Sequence, residues 1–106
     1  MAKYETIAVY SLKDGEEKAK ELNEKFKDLI AKNGTFEQVD VEVDGKTEKG
    51  DHVEVWGKRA LAYPINYEED GYYVLYVYEA DVAFPAELDR VFNITDGVLR
   101  HLVVAR

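Results

Sequence analysis

The apolar residues of this chain alternate in some stretches and recur at helical spacing in others, and the order of these stretches restricts the fold most. Alternation is typical of a strand, whereas spacings of three and four residues indicate one face of a helix. Strand patterns cover residues 3–12, 36–43 continuing in 53–65, 72–78 and 98–104. Helical patterns cover residues 16–32 and a shorter stretch around Leu88 that follows Pro85. The predicted order is therefore βαββαβ.

This order predicts an α+β fold of the ferredoxin-like type, because two right-handed βαβ units interleave into one four-stranded antiparallel sheet with both helices on one face. Such a sheet has its first and third strands in the middle. Stretches 3–12 and 72–78 are apolar on both faces, as central strands require. We expect a single domain over residues 1–106, with an extended hairpin or loop around 44–51, where Asp44-Gly45 is a strong turn signal.

The ends of the first helical stretch carry their own signals. Asp14 is a candidate N-cap, since its side chain can accept a hydrogen bond from a free backbone N–H of the first turn. Gly34 follows Lys32 and Asn33 and is a candidate for the left-handed residue that ends many helices.

Composition argues against an enzyme, a metal site, a cofactor or a small-molecule substrate. The chain has no cysteine, which excludes disulfides, thiolate metal ligands and thiol catalysis. His52 and His101 are isolated, and Glu68-Glu69-Asp70 is typical of an acidic turn rather than an acid/base pair. We expect no signal peptide and no membrane span, since no apolar run is long enough.

The net charge of −8 argues against nucleic acid at first sight, but the charge is unevenly distributed. Residues 14–54 carry 13 acids and 7 bases, whereas the rest of the chain carries 9 acids and 7 bases. All four arginines lie in that second part: Arg59, Arg90, Arg100 and Arg106. Since guanidinium groups bind phosphate in a forked geometry, a local cationic patch is compatible with the acidic total.

The run Trp56-Gly57-Lys58-Arg59-Ala60-Leu61-Ala62-Tyr63-Pro64-Ile65 combines aromatic rings, adjacent cations, a glycine and a proline in one strand pattern. Proline cannot donate a ladder hydrogen bond, so this strand is predicted to lie at a sheet edge. Glycine inside a strand indicates a bulge, which would re-aim the neighbouring side chains.

With these residues the chain resembles the bacterial small-subunit ribosomal protein six family. The resemblance rests on the 56–65 run, on Gly71-Tyr72-Tyr73-Val74-Leu75, on Glu87-Leu88-Asp89-Arg90, on Ile94-Thr95-Asp96-Gly97-Val98-Leu99-Arg100-His101 and on the opening Tyr4-Glu5. It implies a non-catalytic cytoplasmic component of the small ribosomal subunit. It also implies binding to the central domain of 16S rRNA as a heterodimer with the eighteenth small-subunit ribosomal protein.

The resemblance also suggests which residues make these contacts. Lys58 and Arg59 are the first candidates for RNA contact, and Lys3, Arg100 and His101 are weaker ones. Four residues of the edge strand are expected to contact the partner protein: Trp56, Leu61, Tyr63 and Ile65. Ala60 stands where the family usually has a polar or charged residue, and the acidic 44–51 segment is longer than usual; both features weaken the expected RNA affinity.

Simpler interpretations of the same residues remain open. Lys58 and Arg59 could only prevent edge-to-edge aggregation, and Trp56 is more typical of packing than of base stacking. The alternative function is a ferredoxin-like protein–protein interaction module without rRNA binding, for example an engineered derivative of the family. Such a module would bind its protein partner without an RNA-dependent salt effect.

Overall fold

A computed structural model of the chain describes residues 2–65 and 68–106, which form seven strands and two helices. The strands are β1 (Ala2–Tyr10), β2 (Gly34–Phe36), β3 (Gln38–Val43), β4 (Lys46–Asp51), β5 (Val53–Ile65), β6 (Glu68–Ala80) and β7 (Val98–Ala105). The helices are α1 (Glu16–Asn33) and α2 (Phe84–Ile94). None of the helices in these ranges is long and apolar enough to cross a membrane.

The main sheet has β1 and β6 in the middle, as the two-sided apolar pattern of these strands predicts. β7 forms one edge beside β1, and β2 and β5 together form the other edge beside β6. Every pairing in this sheet is antiparallel. The predicted ferredoxin-like layout is confirmed, and β5, which contains Pro64, is an edge strand as expected.

The core lies between the two helices and one face of the sheet, which we call the helix face. Phe26 of α1 stacks on Phe92 of α2 with ring centroids 4.2 Å apart. Beneath them, the hydroxyl of Tyr10 donates to that of Tyr76 (2.6 Å), which in turn donates to Asn23 Oδ1 (2.8 Å). Since a buried hydroxyl without a partner is costly, this chain of bonds lets tyrosines serve as core residues.

Residues 38–51 form a separate two-stranded sheet in which β3 and β4 pair with each other. Its turn residues Asp44 and Gly45 both have positive φ, 51° and 77°, as a two-residue type I′ turn requires. The hairpin leaves the main sheet between β2 and β5. At its root, the backbone N–H of His52 donates to the carbonyl of Glu37 (2.8 Å).

Both predictions about the ends of α1 are wrong. The N-cap is Gly15, which has no side-chain cap and whose φ of 94° lies in a region that favours glycine; its N–H donates to Leu12 O and closes the preceding turn. Gly34 is extended rather than left-handed and is the first residue of β2. A Cβ on Gly34 would overlap the carbonyl oxygen of Glu79, so glycine is needed there for close strand approach.

The prediction that Glu68, Glu69 and Asp70 form a turn is also wrong, because these residues begin strand β6. Glu68 Oε1 accepts hydrogen bonds from Ser11 Oγ (2.7 Å) and from Leu12 N (3.2 Å). The carboxylate therefore binds the polar groups that follow β1, a role that the sequence pattern does not show.

Candidate functional site

Strand β5 contains the candidate motif and has a bulge within it. Gly57 has φ 75°, and the pairing register with β6 shifts between Val55 and Gly57. The bulge predicted from Gly57 is present, and it adds Trp56 as an extra residue opposite Tyr73. Because side chains alternate along a strand, one extra residue exchanges the faces of everything that follows it.

Lys58 and Arg59 are neighbours in a strand and therefore lie on opposite faces of the sheet, and the bulge decides which face each one takes. Lys58 is paired with Tyr72, whose side chain is in the core, and therefore lies on the helix face. Its Nζ is 3.7 Å from Asp70 Oδ2, in a shallow depression that Glu16 and Glu69 also line. An exposed ion pair of this kind is weak, but the surrounding carboxylates make this side unfavourable for phosphate.

Arg59 lies on the other face, which has no helix on it in the described part of the chain. We call this the open face; its central residues are Ile7, Val9, Tyr73, Leu75 and Leu102. The Arg59 guanidinium carbon is 5.9 Å from the ring centroid of Trp56. The Trp56 ring is nearly parallel to that of Tyr73, with an angle of 17° and centroids 6.4 Å apart. Trp56 remains 37% exposed.

A network of charged side chains borders this cluster at the root of the hairpin. Trp56 Nε1 donates to Glu54 Oε1 (3.3 Å), and the other Glu54 oxygen bonds His52 Nε2 (2.7 Å). His52 Nδ1 bonds Glu37 Oε2 (2.9 Å), which also accepts from Arg106 Nη1 (3.3 Å). The bonds to Glu37 and then to Glu54 raise the pKa of His52. The same bonds to His52 lower the pKa of Glu37 and Glu54.

The structure separates the three weaker RNA candidates. Arg100 is exposed on the open face, opposite Val9, in the same cross-strand row as Tyr73 and two strands away from it. Lys3 lies at the far end of β1, with its Nζ 3.9 Å from a Glu79 carboxylate oxygen. His101 points to the helix face, where its ring stacks on Phe92 with centroids 4.9 Å apart.

The His101 side chain is only 17% exposed, and its Nδ1 is 3.1 Å from Asp89 Oδ1. Of the predicted RNA candidates, Arg59 and Arg100 share one face, while Lys58 and His101 lie on the other.

The predicted protein-contact residues follow the bulge along β5. Leu61 reaches the open face, where its Cδ2 lies close to Gly71, and Tyr63 is 58% exposed. The side chain of Ile65 lies outside the described part of the structure. Sequence analysis did not select Tyr73 or Glu54 for this site. The alternation of β6 could have placed Tyr73 on the open face, but the contact of Glu54 with Trp56 depends on the bulge.

The site can bind planar and anionic groups. Within residues 2–65 and 68–106, no three His, Asp or Glu side chains come together to hold a metal ion. What the site offers is an exposed edge strand with an aromatic pair and a guanidinium group on one face.

Comparison with known proteins gives a consistent family match. Residues 3–105 match the family model described as ribosomal protein S6. The small ribosomal subunit protein bS6 of Clostridium perfringens is 46% identical over 105 residues, covering 98% of this chain and 96% of that protein. The bS6 protein of Clostridium kluyveri is 44% identical over 104 residues, with the same coverage. A crystal structure of 30S ribosomal protein S6 from Thermotoga maritima superposes with a TM-score of 0.79 at 23% identity, covering 99% of this chain and 87% of that one.

Proposed function

Because the chain belongs to the ribosomal protein S6 family, a non-enzymatic structural component of the small ribosomal subunit in the cytoplasm, we propose that it binds the central domain of 16S rRNA as a heterodimer with the eighteenth small-subunit ribosomal protein. Its role is to occupy a fixed position on the rRNA. Contacts to phosphate fix the position of the protein, and RNA shape together with the partner protein supplies specificity.

The observation that carries this proposal is the position of Arg59 on the exposed edge strand β5. The guanidinium group lies on the open face beside Trp56, and Arg100 is exposed on the same face. Arginine suits a phosphate contact because its donors form a rigid fork. Lys58 is adjacent in sequence but lies over the helix face, so it contacts RNA only where RNA passes around the edge of the sheet.

The remaining part of β5 is assigned to the protein partner. In the described structure this strand pairs with β6 on one side, so the backbone groups along its other side are available to a partner. Leu61 and the exposed Tyr63 provide apolar and aromatic contact area beside that edge, and Ile65 extends the assignment to the end of the strand.

The net charge of −8 explains why the partner is needed. A protein with this charge gains little from non-specific attraction to phosphate, which normally supplies most of the affinity for RNA. We therefore expect weak RNA binding by the isolated chain and firm binding by the heterodimer.

The test is binding to a central-domain rRNA fragment, with and without the eighteenth protein, across a salt series. The Lys58→Ala/Arg59→Ala variant is compared with Lys18→Ala/Lys20→Ala, which removes two exposed cations from α1. The first variant should weaken binding by the heterodimer and reduce the slope of log affinity against log salt by roughly one to two. The control should leave that slope unchanged.

If the chain binds the eighteenth protein but the complex binds no RNA at any salt concentration, the rRNA assignment fails. The protein–protein interaction module is then the correct description.

A further inference from the structure

On the open face, one row of side chains crosses the whole sheet. Val9 in its middle is aliphatic and buried, and none of its members is acidic. Gly57 pairs with Tyr73, Tyr73 with Val9, and Val9 with Arg100. At the β5 end of this row, the bulge adds Trp56, and Arg59 lies against its ring. The row therefore runs from one guanidinium group, past two aromatic rings, to a second guanidinium group.

We propose that this row, which we call the stacking row and which consists of Trp56, Arg59, Tyr73, Val9 and Arg100, binds unpaired RNA bases. The inference rests on the proposed rRNA binding and identifies the kind of RNA segment that this face takes. Bases stack on Trp56 and Tyr73, and the two arginines contact the phosphates on either side.

The geometry of the rings supports stacking. The Trp56 and Tyr73 rings are within 17° of parallel, so consecutive bases can stack on both rings in the same orientation. Trp56 is 37% exposed even though Tyr73 and Arg59 both contact it, so part of its ring is accessible. Aromatic rings held on a sheet bind bases of any sequence, since every base has a π-face.

The spacing of the cations supports the same conclusion. Arg59 and Arg100 are on strands β5 and β7, which are separated by β6 and β1, and Arg59 is offset by two residues along the strands. Their backbones therefore lie about 16 Å apart, given about 14 Å across three strand spacings and about 7 Å along them. A short single-stranded segment lying across the sheet can reach both.

Glu54 is the acid that touches the stacking row, and two groups bond its carboxylate. One oxygen accepts from Trp56 Nε1 and the other bonds His52. When His52 is protonated, its charge balances that of Glu54, so the acid does not repel phosphate from this end of the row.

RNA fits the stacking row better than a protein does. The exposed aliphatic side chains of the open face, which favour a protein contact, lie in the neighbouring rows. Leu102 and Val104 are 52% and 44% exposed there. The stacking row, in contrast, combines planar rings with planar cations, which matches the alternation of bases and phosphates. This assigns Trp56 to RNA rather than to the protein interface.

The test uses the fact that Trp56 is the only tryptophan of the chain. The chain is labelled with fluorotryptophan, assembled with the eighteenth protein and titrated with the central-domain rRNA fragment and, separately, with a short unstructured RNA oligonucleotide. We expect the fluorine resonance of Trp56 to shift with both RNAs. Trp56→Leu should weaken oligonucleotide binding about tenfold or more, and Trp56→Phe should weaken it less.

Lys20→Ala is the control, because Lys20 is an exposed cation on α1, which packs on the opposite face of the sheet. It should leave the shift at saturation unchanged. Thermal melting of each variant confirms that it is folded.

Other results overturn the inference. If the rRNA fragment binds with unchanged affinity in Trp56→Leu and the resonance does not move, this inference is wrong while the proposed function stands. If the eighteenth protein alone produces the whole shift, Trp56 belongs to the protein interface. If neither RNA binds, both proposals fail.

Discussion

At the scale of single residues, Gly71 shows how closely the open face is packed. The side chains of Val9 and Leu61 meet above it, and a Cβ added at Gly71 would overlap Val9 Cγ1 and lie 3.3 Å from Leu61 Cδ2. Val9 is buried and cannot move away easily. We expect Gly71→Ala to lower the free energy of unfolding by about 1–3 kcal/mol, measured by urea titration, because overpacking displaces neighbours.

The double variant Gly71→Ala/Val9→Ala tests whether steric overlap with Val9 causes the loss of stability. Removing the Val9 methyl groups makes room for the new Cβ, so the two losses should not add. Additive losses would show that the glycine is needed for another reason.

The hydroxyl of Tyr76 is the centre of the buried hydrogen-bond chain from Tyr10 to Asn23. Tyr76→Phe leaves the Tyr10 hydroxyl and the Asn23 carbonyl oxygen without this partner, at a cost of about 1–3 kcal/mol. Tyr10→Phe should cost less, since Tyr76 can still donate to Asn23. The measurement is the urea midpoint of each variant at constant m-value. Equal losses for the two variants would contradict the donor order described above.

At the scale of elements, the root of the hairpin responds to pH through His52. Its two carboxylate partners raise its pKa above the ordinary value of 6.5, so the folded state holds the proton more tightly than the unfolded chain. This stabilisation is complete below the unfolded pKa and is lost as pH rises through the folded one. The melting temperature should therefore fall as the pH rises above about 6.5.

His52→Gln should lack this part of the pH dependence. The check is a series of thermal melts across the same pH range. Parallel curves for the two proteins would show that His52 does not couple to folding. At lower pH the effect reverses, because Glu37 and Glu54 have lowered pKa values and lose their stabilising contribution as they are protonated.

Apolar periodicity predicts the helices and the order of the main-sheet strands, but not how their ends are made. It wrongly assigned residues 38–43, which pair with β4 in the separate hairpin, to the edge strand of the main sheet. The two-sided patterns of β1 and β6 identify the central strands, and Pro64 and Gly57 identify an edge strand with a bulge. The pattern could not place Gly34, whose role depends on the Glu79 carbonyl of a strand far away in sequence. It also placed Lys58 and Arg59 together as a pair, although neighbours in a strand lie on opposite faces. Which face each one takes depends on the bulge and on the pairing with β6, which the sequence does not show.

At the scale of the whole molecule, the hairpin contributes much of the charge that opposes RNA binding. Residues 38–51 contain five acids and two lysines. The two strands of this segment pair with each other. The residues on either side of the segment, Glu37 and His52, are joined by a backbone hydrogen bond. Replacing 38–51 with a two-residue turn should therefore preserve the main sheet and remove three net negative charges.

We expect this shortened protein, in complex with the eighteenth protein, to bind the rRNA fragment more tightly at low salt, with the difference vanishing as salt screens it. A full-length variant with three of the five hairpin acids changed to amides is the matched control, because it also removes three net negative charges but keeps the hairpin. If both variants gain affinity equally, the hairpin acts through its charge alone. If the shortened protein loses affinity while the amide variant gains it, the hairpin itself contacts the RNA or the partner, and its acids weaken that contact.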